Sequence, residues 1–305
     1  MIFLVVLGHL GYDDWGLEIN KMIYSFHMPV FIFLSGYFTS QDTDRGKHIK
    51  WLKQTLLIYI AAQFAHFILS IGIGIIQAFL KQGDFDTSLL SWRVLISPYL
   101  ALWYLVCLIY WRLSVWSIFS KTNDIVLLCI SCILSFVSGF IPIDYDFAFQ
   151  RAFSFFPFFV TGMIFRKHGF MSQLCKIPYK YAFAGLLLGL LMARFLPMYM
   201  PKSHYSFLSD LFYRIIQSCL GFVLCLLILR VARIDFVGRF AKYGLYTLWI
   251  YIGHTFLIII GRTVFPYLGI SFNLITALIL TCLYCALFIF MAKTYHACQK
   301  SKSIT

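Results

Sequence analysis

Residues 55–79 read TLLIYIAAQFAHFILSIGIGIIQAF, an apolar run that contains no Asp, Glu, Lys or Arg. A helix that spans a bilayer needs about 20 consecutive, mostly apolar residues. At a rise of about 1.5 Å per residue, this run makes a helix roughly 37 Å long, which is enough to cross the hydrocarbon core. The stretch therefore predicts a transmembrane α-helix.

Similar runs recur along the chain and predict an all-α, polytopic bundle of about ten transmembrane helices. Of all residues, 61% are hydrophobic and 12% are charged, whereas a soluble domain is typically about half apolar and about a quarter charged. No soluble domain or long linker interrupts the runs, so we predict one transmembrane domain over residues 1–305. The helices are expected near residues 1–11, 22–38, 55–79, 94–112, 125–141, 152–165, 181–197, 209–229, 243–261 and 273–291.

The first run is too short to span a membrane. As a helix, residues 1–11 would be about 16 Å long, roughly half of the hydrocarbon thickness. Three explanations stay open: a start codon further upstream, an N-terminally truncated gene product, or a cleaved signal peptide. The third lacks its usual basic region and small-residue cleavage site.

The formal net charge of +13 is best explained by membrane topology. Lys and Arg lie in short segments between apolar runs and not on one face of a folded domain, so we expect a lipid bilayer as partner and no nucleic acid. The basic loops 39–53, 166–180 and 230–242 are expected in the cytoplasm. Both termini are then cytoplasmic, which predicts a multi-pass protein of the inner or plasma membrane.

Ionisable residues inside apolar runs are candidate functional residues, because hydrocarbon does not solvate them. By the topology above, His9, His27 and Arg151 lie in the outer half of the membrane, and His254 lies near the middle of its helix. We expect these four side chains to share a polar cavity. No metal is expected, because the C-x-x-C pairs Cys129/Cys132 and Cys282/Cys285 lack a nearby His or a second pair.

Five short motifs around these residues resemble one known family. In chain order they are VVLGH at 5–9, FHMPVFIFLSGY at 26–37, LWYL at 102–105, FFPFFVTG at 155–162 and LWIYIGH at 248–254. They resemble the acyltransferase-3 family of membrane-embedded O-acyltransferases, including its branch of fucose-type sugar acetylases. The resemblance covers nearly the whole chain. It implies transfer of an acyl group, usually acetyl from acetyl-CoA, to a hydroxyl of a sugar in a polysaccharide or lipid-linked glycan of the cell envelope.

The resemblance implies catalytic roles for His9, His27 and Arg151. His9 matches the family's first-helix histidine, and imidazole can remove a hydroxyl proton or accept the acyl group itself. The FHMP motif implies a helix kink at Pro29 that would open a cavity beside His27, and Arg151 would stabilise an oxyanion or clamp an anionic group. The alternatives are packing for His9, a bond to a carbonyl freed by the kink for His27, and snorkelling to the headgroups for Arg151.

Further residues are predicted to bind substrates. Trp103, Tyr104 and His254 would contact the acceptor or donor, although aromatic residues in helices often only pack. The phosphates of coenzyme A would be attracted by four basic residues that topology alone would also place in the cytoplasm: Arg45, Lys47, Lys50 and Lys53.

Two other classes of function stay open. Intramembrane His and Arg residues also line permeation paths, as in a transporter or permease, although no pair of hydropathy-related halves is evident. Family members normally carry Arg, Asp and Lys-Gly before the first Gly-His, and this chain begins after that segment. An N-terminally truncated, inactive acyltransferase is therefore the other alternative.

Overall fold

The computed structural model describes residues 1–10, 14–39, 44–81, 87–140, 146–196, 207–265, 269 and 273–302. Within these ranges the chain is helical and contains no β-strand. The main helices are α1 (Ile2–Leu10), α2 (Asp14–Tyr37), α3 (Arg45–Lys81), α4 (Trp103–Leu113), α5 (Asp124–Ser138), α6 (Phe149–Lys167), α7 (Tyr179–Phe195), α8 (Phe207–Val231), α9 (Thr247–Val264) and α10 (Leu274–Lys302).

Short helical segments connect the main helices. They are Thr87–Leu90, Arg93–Ile96, Leu100–Leu102, a π-helical segment at Ser114–Ile118, Asp146–Ala148, Phe170–Leu174, Asp235–Gly238 and Ala241–Tyr246. A π-helical segment inserts an extra residue into a helical turn and often occurs at functional sites. Here it follows α4 directly.

The described residues contain six helices that are long and apolar enough to cross a membrane. They are Arg45–Phe79, Leu100–Ile118, Asp146–Lys167, Leu208–Val231, Ala241–Val264 and Leu274–Tyr295. The surface of α3 supports lipid contact, since Leu57, Phe64 and Phe79 are 69%, 61% and 84% exposed. The all-helical membrane fold is confirmed, and the number of about ten spans is not.

The four remaining predicted helices exist but differ in length or polarity from a spanning helix. The first, α1, has 9 residues, α5 has 15 and α7 has 17. Helix α2 has 24 residues, but Glu18, Asn20 and Lys21 make its first half polar. Helices α1, α5 and α7 are shorter than the roughly 20 residues that a span needs.

The basic segment that precedes the third apolar run is helical, and its prediction as a loop was wrong. Helix α3 begins at Arg45, ten residues before the apolar run. The Asp44 carboxylate starts it by accepting hydrogen bonds from the backbone N–H groups of Gly46 (2.8 Å) and Lys47 (3.3 Å). Lys, Arg and Gln are good helix formers, so a capped apolar helix extends readily through them.

Contacts divide the chain into two compact units. Unit 1 comprises Met1–Ile23 and Ala232–Thr305, and unit 2 comprises Tyr24–Val231. In unit 1, α1 packs against α9 and α10 around a core that includes Leu10, Ile250 and Ile258. This packing holds the short α1 in place although it is too short to be stable alone.

In unit 2, α6 is the central helix and packs against α4 and α5. Its buried face carries Phe155, Phe156, Phe158 and Phe159. The fully buried Trp111 of α4 donates from Nε1 to the carbonyl of Ala152 at 2.7 Å. The FFPFFV motif thus forms the core that fixes the orientation of the first turns of α6.

Candidate active site

Two histidines of unit 1 lie beside each other. The ring centroids of His9, near the end of α1, and His254, in the middle of α9, are 5.4 Å apart, and their planes are inclined by 41°. His254 is completely buried and His9 is half-buried. The pair thus combines a partly exposed ring with one that is shielded from solvent.

The buried histidine has a defined tautomer. Its Nδ1 lies 3.0 Å from the carbonyl oxygen of Ile250, one turn earlier in α9. Because a carbonyl oxygen only accepts hydrogen bonds, Nδ1 of His254 must carry a proton, and in the neutral ring Nε2 holds the lone pair. Fixing one nitrogen in this way sets the role of the other.

The end of α1 is held by a cation. Arg262, near the end of α9, donates from Nη2 to the carbonyl oxygen of His9 at 2.8 Å. This bond occupies one of the carbonyls that a helix end leaves without an intrahelical partner. It fixes the backbone of His9 relative to α9 and therefore relative to His254.

Unit 2 joins Arg151 with Trp103. The guanidinium carbon of Arg151 lies 5.0 Å from the ring centroid of Trp103, within the range of a cation–π contact. The Trp103 ring in turn stacks on that of Phe155, with centroids 5.6 Å apart and planes inclined by 22°. Arg151 is half-buried, so its charge lies over the Trp103 ring at the edge of the core.

Left-handed backbone precedes both members of this pair. Leu100 has φ of 41° and Ala148 has φ of 57°, and each lies three residues before Trp103 or Arg151. Residues other than glycine adopt this conformation at an energetic cost, which the surrounding structure must offset. The Cys107 thiol contributes by contacting the carbonyl oxygen of Ala148 at 3.6 Å. Such turns aim the first side chains of the helices that follow.

Two other predicted residues lie in unit 2. The Tyr104 ring meets Trp103 edge-on at 6.4 Å, and its hydroxyl hydrogen-bonds to the hydroxyl of Ser35 on α2. His27 is 2% exposed and contacts the ring of Tyr24 edge-on at 4.6 Å. Pro29, where the sequence predicts a kink, lies inside α2.

The predicted residues therefore fall into groups. His9 lies with His254 in unit 1, Arg151 lies with Trp103 and Tyr104 in unit 2, and His27 has its ring contact within unit 2. The four basic residues lie on the first turns of α3, and Lys47 is 3.7 Å from Asp44. Among the described residues, no three His, Cys, Asp or Glu side chains lie close enough together to hold a metal ion.

Several residues of interest carry no sequence motif. His48 and Trp116 stack, and Lys167 and His168 both bind Asp124. They are far apart in sequence and become neighbours only where the start of α3 meets the ends of other helices. The sequence shows that the segment after residue 166 is basic, but it does not show that Lys167 and His168 pair with Asp124.

A family comparison covers both units. The acyltransferase-3 family model, described as an acyltransferase domain, matches residues 1–293. No curated protein and no solved structure matches the chain.

Proposed function

Because the chain belongs to the acyltransferase-3 family, we propose that it is a membrane O-acyltransferase that moves acetyl from acetyl-CoA to a sugar hydroxyl. The acceptor is a polysaccharide or lipid-linked glycan of the cell envelope. The membrane is the inner or plasma membrane, with both termini in the cytoplasm. The observation that carries the proposal is the contact between the half-buried His9 and the buried His254, because it gives the family's histidine a fixed and accessible position.

The reaction needs a proton acceptor and a leaving group. In one route, His9 takes the proton of the sugar hydroxyl while the hydroxyl oxygen attacks the thioester carbonyl carbon. The carbon–sulfur bond then breaks, and the imidazolium returns the proton to the sulfur to give free coenzyme A. In the other route, the His9 nitrogen attacks the thioester carbonyl carbon, the carbon–sulfur bond breaks, and coenzyme A leaves as the thiolate. The sugar hydroxyl then attacks the acyl carbon, the nitrogen–carbon bond breaks, and the hydroxyl proton passes to the thiolate. Both routes end with the same products.

His254 supports either route by position. Its Nδ1 is committed to the carbonyl of Ile250, and its ring lies against that of His9. A buried, oriented ring restricts how the His9 ring can turn, and restricted geometry favours reaction. We assign His254 as a positioning residue for His9.

The function is tested with the purified full chain in proteoliposomes. We expect label from acetyl-labelled acetyl-CoA to appear on an added cell-envelope glycan fraction. In intact cells, deleting the gene should remove about 42 Da per acetyl group from envelope glycans, as seen by mass spectrometry. Absence of transfer by the wild-type chain, together with unchanged glycan masses, would overturn the proposal.

Arg151 gives a second prediction. We propose that its guanidinium stabilises the oxyanion that forms at the thioester carbonyl, and the loss of one such donor typically lowers kcat about 10²–10³-fold. Replacing it by Gln should lower kcat by about that factor. Arg151→Lys should fall nearly as far, because an ammonium does not reproduce a planar group stacked on Trp103.

The control for this prediction is Arg93→Gln. Arg93 is an exposed arginine in the short helix before α4, and its replacement should leave kcat and KM unchanged. If Arg151→Gln changed only KM, Arg151 would be a binding residue and not a catalytic one. If neither constant changed, Arg151 would only snorkel to the headgroups.

A further inference from the structure

A large cavity opens in unit 2 where α3 begins and α6 ends. Its volume is about 730 Å³, within the range of about 300–1,000 Å³ that is usual for small-molecule sites. Residues with basic, aromatic and acidic side chains line it, among them Arg45, His48, Trp116, Phe119, Asp124 and Lys167. Because α3, α4, α5 and α6 all have their predicted cytoplasmic ends here, the cavity lies on the side from which a cytoplasmic donor would approach.

One wall of the cavity is an aromatic platform. The His48 and Trp116 rings are parallel within 5°, with centroids 3.7 Å apart. Outside the cavity lining, the Arg112 guanidinium carbon of α4 lies 5.8 Å from the Trp116 ring centroid and 4.1 Å from that of Trp51. Trp116 belongs to the π-helical segment Ser114–Ile118. Planar heterocycles stack favourably on such a surface.

The platform also has an unused polar atom. Nε2 of His48 is buried and has no hydrogen-bond partner among the residues that the structure describes. A buried polar atom without a partner is costly, so such atoms commonly mark a site that a ligand or water completes. A purine ring or a ribose hydroxyl carries the complementary groups.

Another wall carries charge. The Lys167 ammonium lies 2.8 Å from the Asp124 carboxylate, and His168 Nε2 lies 2.9 Å from the same group. Arg45, at the first turn of α3, is exposed and lines the cavity. A phosphate entering here would bind Arg45 and Lys167 and would compete with Asp124 for the lysine.

We infer that this cavity binds the adenosine phosphate end of the acyl-CoA donor, with the adenine at Trp116 and the phosphates at Arg45 and Lys167. The inference rests on the proposed function. It also separates the four basic residues predicted from the sequence: Arg45 lines the cavity, whereas Lys47, Lys50 and Lys53 do not. The chemistry recognised is a purine joined to phosphate, which a bare anion or a lipid headgroup lacks.

The test is a calorimetric titration of the purified full chain with 3′,5′-ADP, which gives the Kd of the nucleotide. Trp116→Leu should raise Kd about tenfold or more, given the usual contribution of base stacking on an aromatic ring. Trp116→Phe should restore most of the affinity, which shows that the fold is retained. Lys167→Gln should also raise Kd about tenfold, and Asp124→Asn should lower it, because a competing anion is removed. The control is Lys176→Gln, at an exposed lysine that does not line the cavity, and it should not change Kd.

Opposite effects of Lys167→Gln and Asp124→Asn are not expected from a loss of folding, since both variants break the same ion pair. Unchanged Kd in all cavity variants would overturn the inference. So would equal competition by inorganic phosphate or by phosphatidylglycerol vesicles, which would assign the cavity to a simple anion or a lipid headgroup.

An assay of acetyl transfer tests the proposed function independently of this inference. If the wild-type chain transfers acetyl and the cavity variants keep its KM for acetyl-CoA, the cavity assignment fails and the function stands. If 3′,5′-ADP binds as predicted and no acetyl is transferred, the nucleotide site stands and the function fails.

Discussion

Replacing His9 by glutamine should abolish acetyl transfer while the protein still inserts and folds. A positioned acid–base residue typically contributes about 10²–10⁴-fold to a rate, and a residue that also carries the acyl group cannot be replaced at all. Glutamine keeps similar polarity and length but neither titrates nor forms an acyl intermediate. Initial rates of transfer from labelled acetyl-CoA, measured in proteoliposomes with equal amounts of folded protein, give the effect.

The matched control is His66→Gln. His66 is a completely buried histidine of α3 whose Nδ1 lies 2.8 Å from the carbonyl of Ala62, the same local arrangement as in His254. It belongs to unit 2, where its Nδ1 bonds to the Ala62 carbonyl and its ring stacks on that of Tyr99. Its replacement should leave transfer within about threefold of wild type. Activity retained by His9→Gln would exclude His9 from the mechanism.

The effect of His254→Gln should be smaller. A positioning residue acts through the geometry of His9, so we expect a loss of about tenfold in kcat with little change in KM. A pH–rate profile that shifts in His254→Gln but not in His66→Gln would separate positioning from simple packing. An effect as large as that of His9→Gln would instead make His254 a direct participant.

The sequence predicted the helices well because their signal is local. A bilayer offers no water to the backbone, so an apolar run as long as residues 55–79 forms a helix in which its own N–H and C=O groups hydrogen-bond to each other. The start of α3 was missed because Asp44 caps the helix ten residues before the apolar run. A helix cap depends on one side chain, whereas hydropathy is averaged over many residues and therefore does not show it.

The sequence motifs select candidate site residues, and the expected shared cavity placed His9 with His254, but the contact of Arg151 with Trp103 was not predicted. The motifs selected His9, Arg151 and Trp103, but spacing along the chain does not tell which helices become neighbours. The contact of His9 with His254 depends on α1 packing against α9, and that of Arg151 with Trp103 depends on two left-handed residues that no hydropathy pattern reveals. The cavity at Trp116 depends on the ends of four helices and lacks a motif of its own.

The crossing of α2 and α6 explains two glycines of the motifs. A Cβ atom on Gly36 would lie 1.9 Å from the carbonyl oxygen of Phe159, and one on Gly162 would lie 2.0 Å from the carbonyl oxygen of Phe33. The obstacle is backbone in both cases, so no rotamer change of a neighbour relieves it. Small residues of this kind let membrane helices approach closely enough for their backbones to touch.

Gly162→Ala should therefore destabilise the protein by about 1–3 kcal/mol or more, as overpacking of a tight core does, and lower its Tm in detergent by on the order of 5 °C. The crossing would have to open, which would disturb the Phe33 and Phe159 packing. Gly72→Ala is the matched control, because a Cβ there meets nothing within 4 Å and alanine stabilises a helix by up to about 1 kcal/mol relative to glycine. Its Tm should equal or exceed that of the wild type. If both variants melted at the wild-type temperature, α2 and α6 would not cross with their backbones in contact at these glycines.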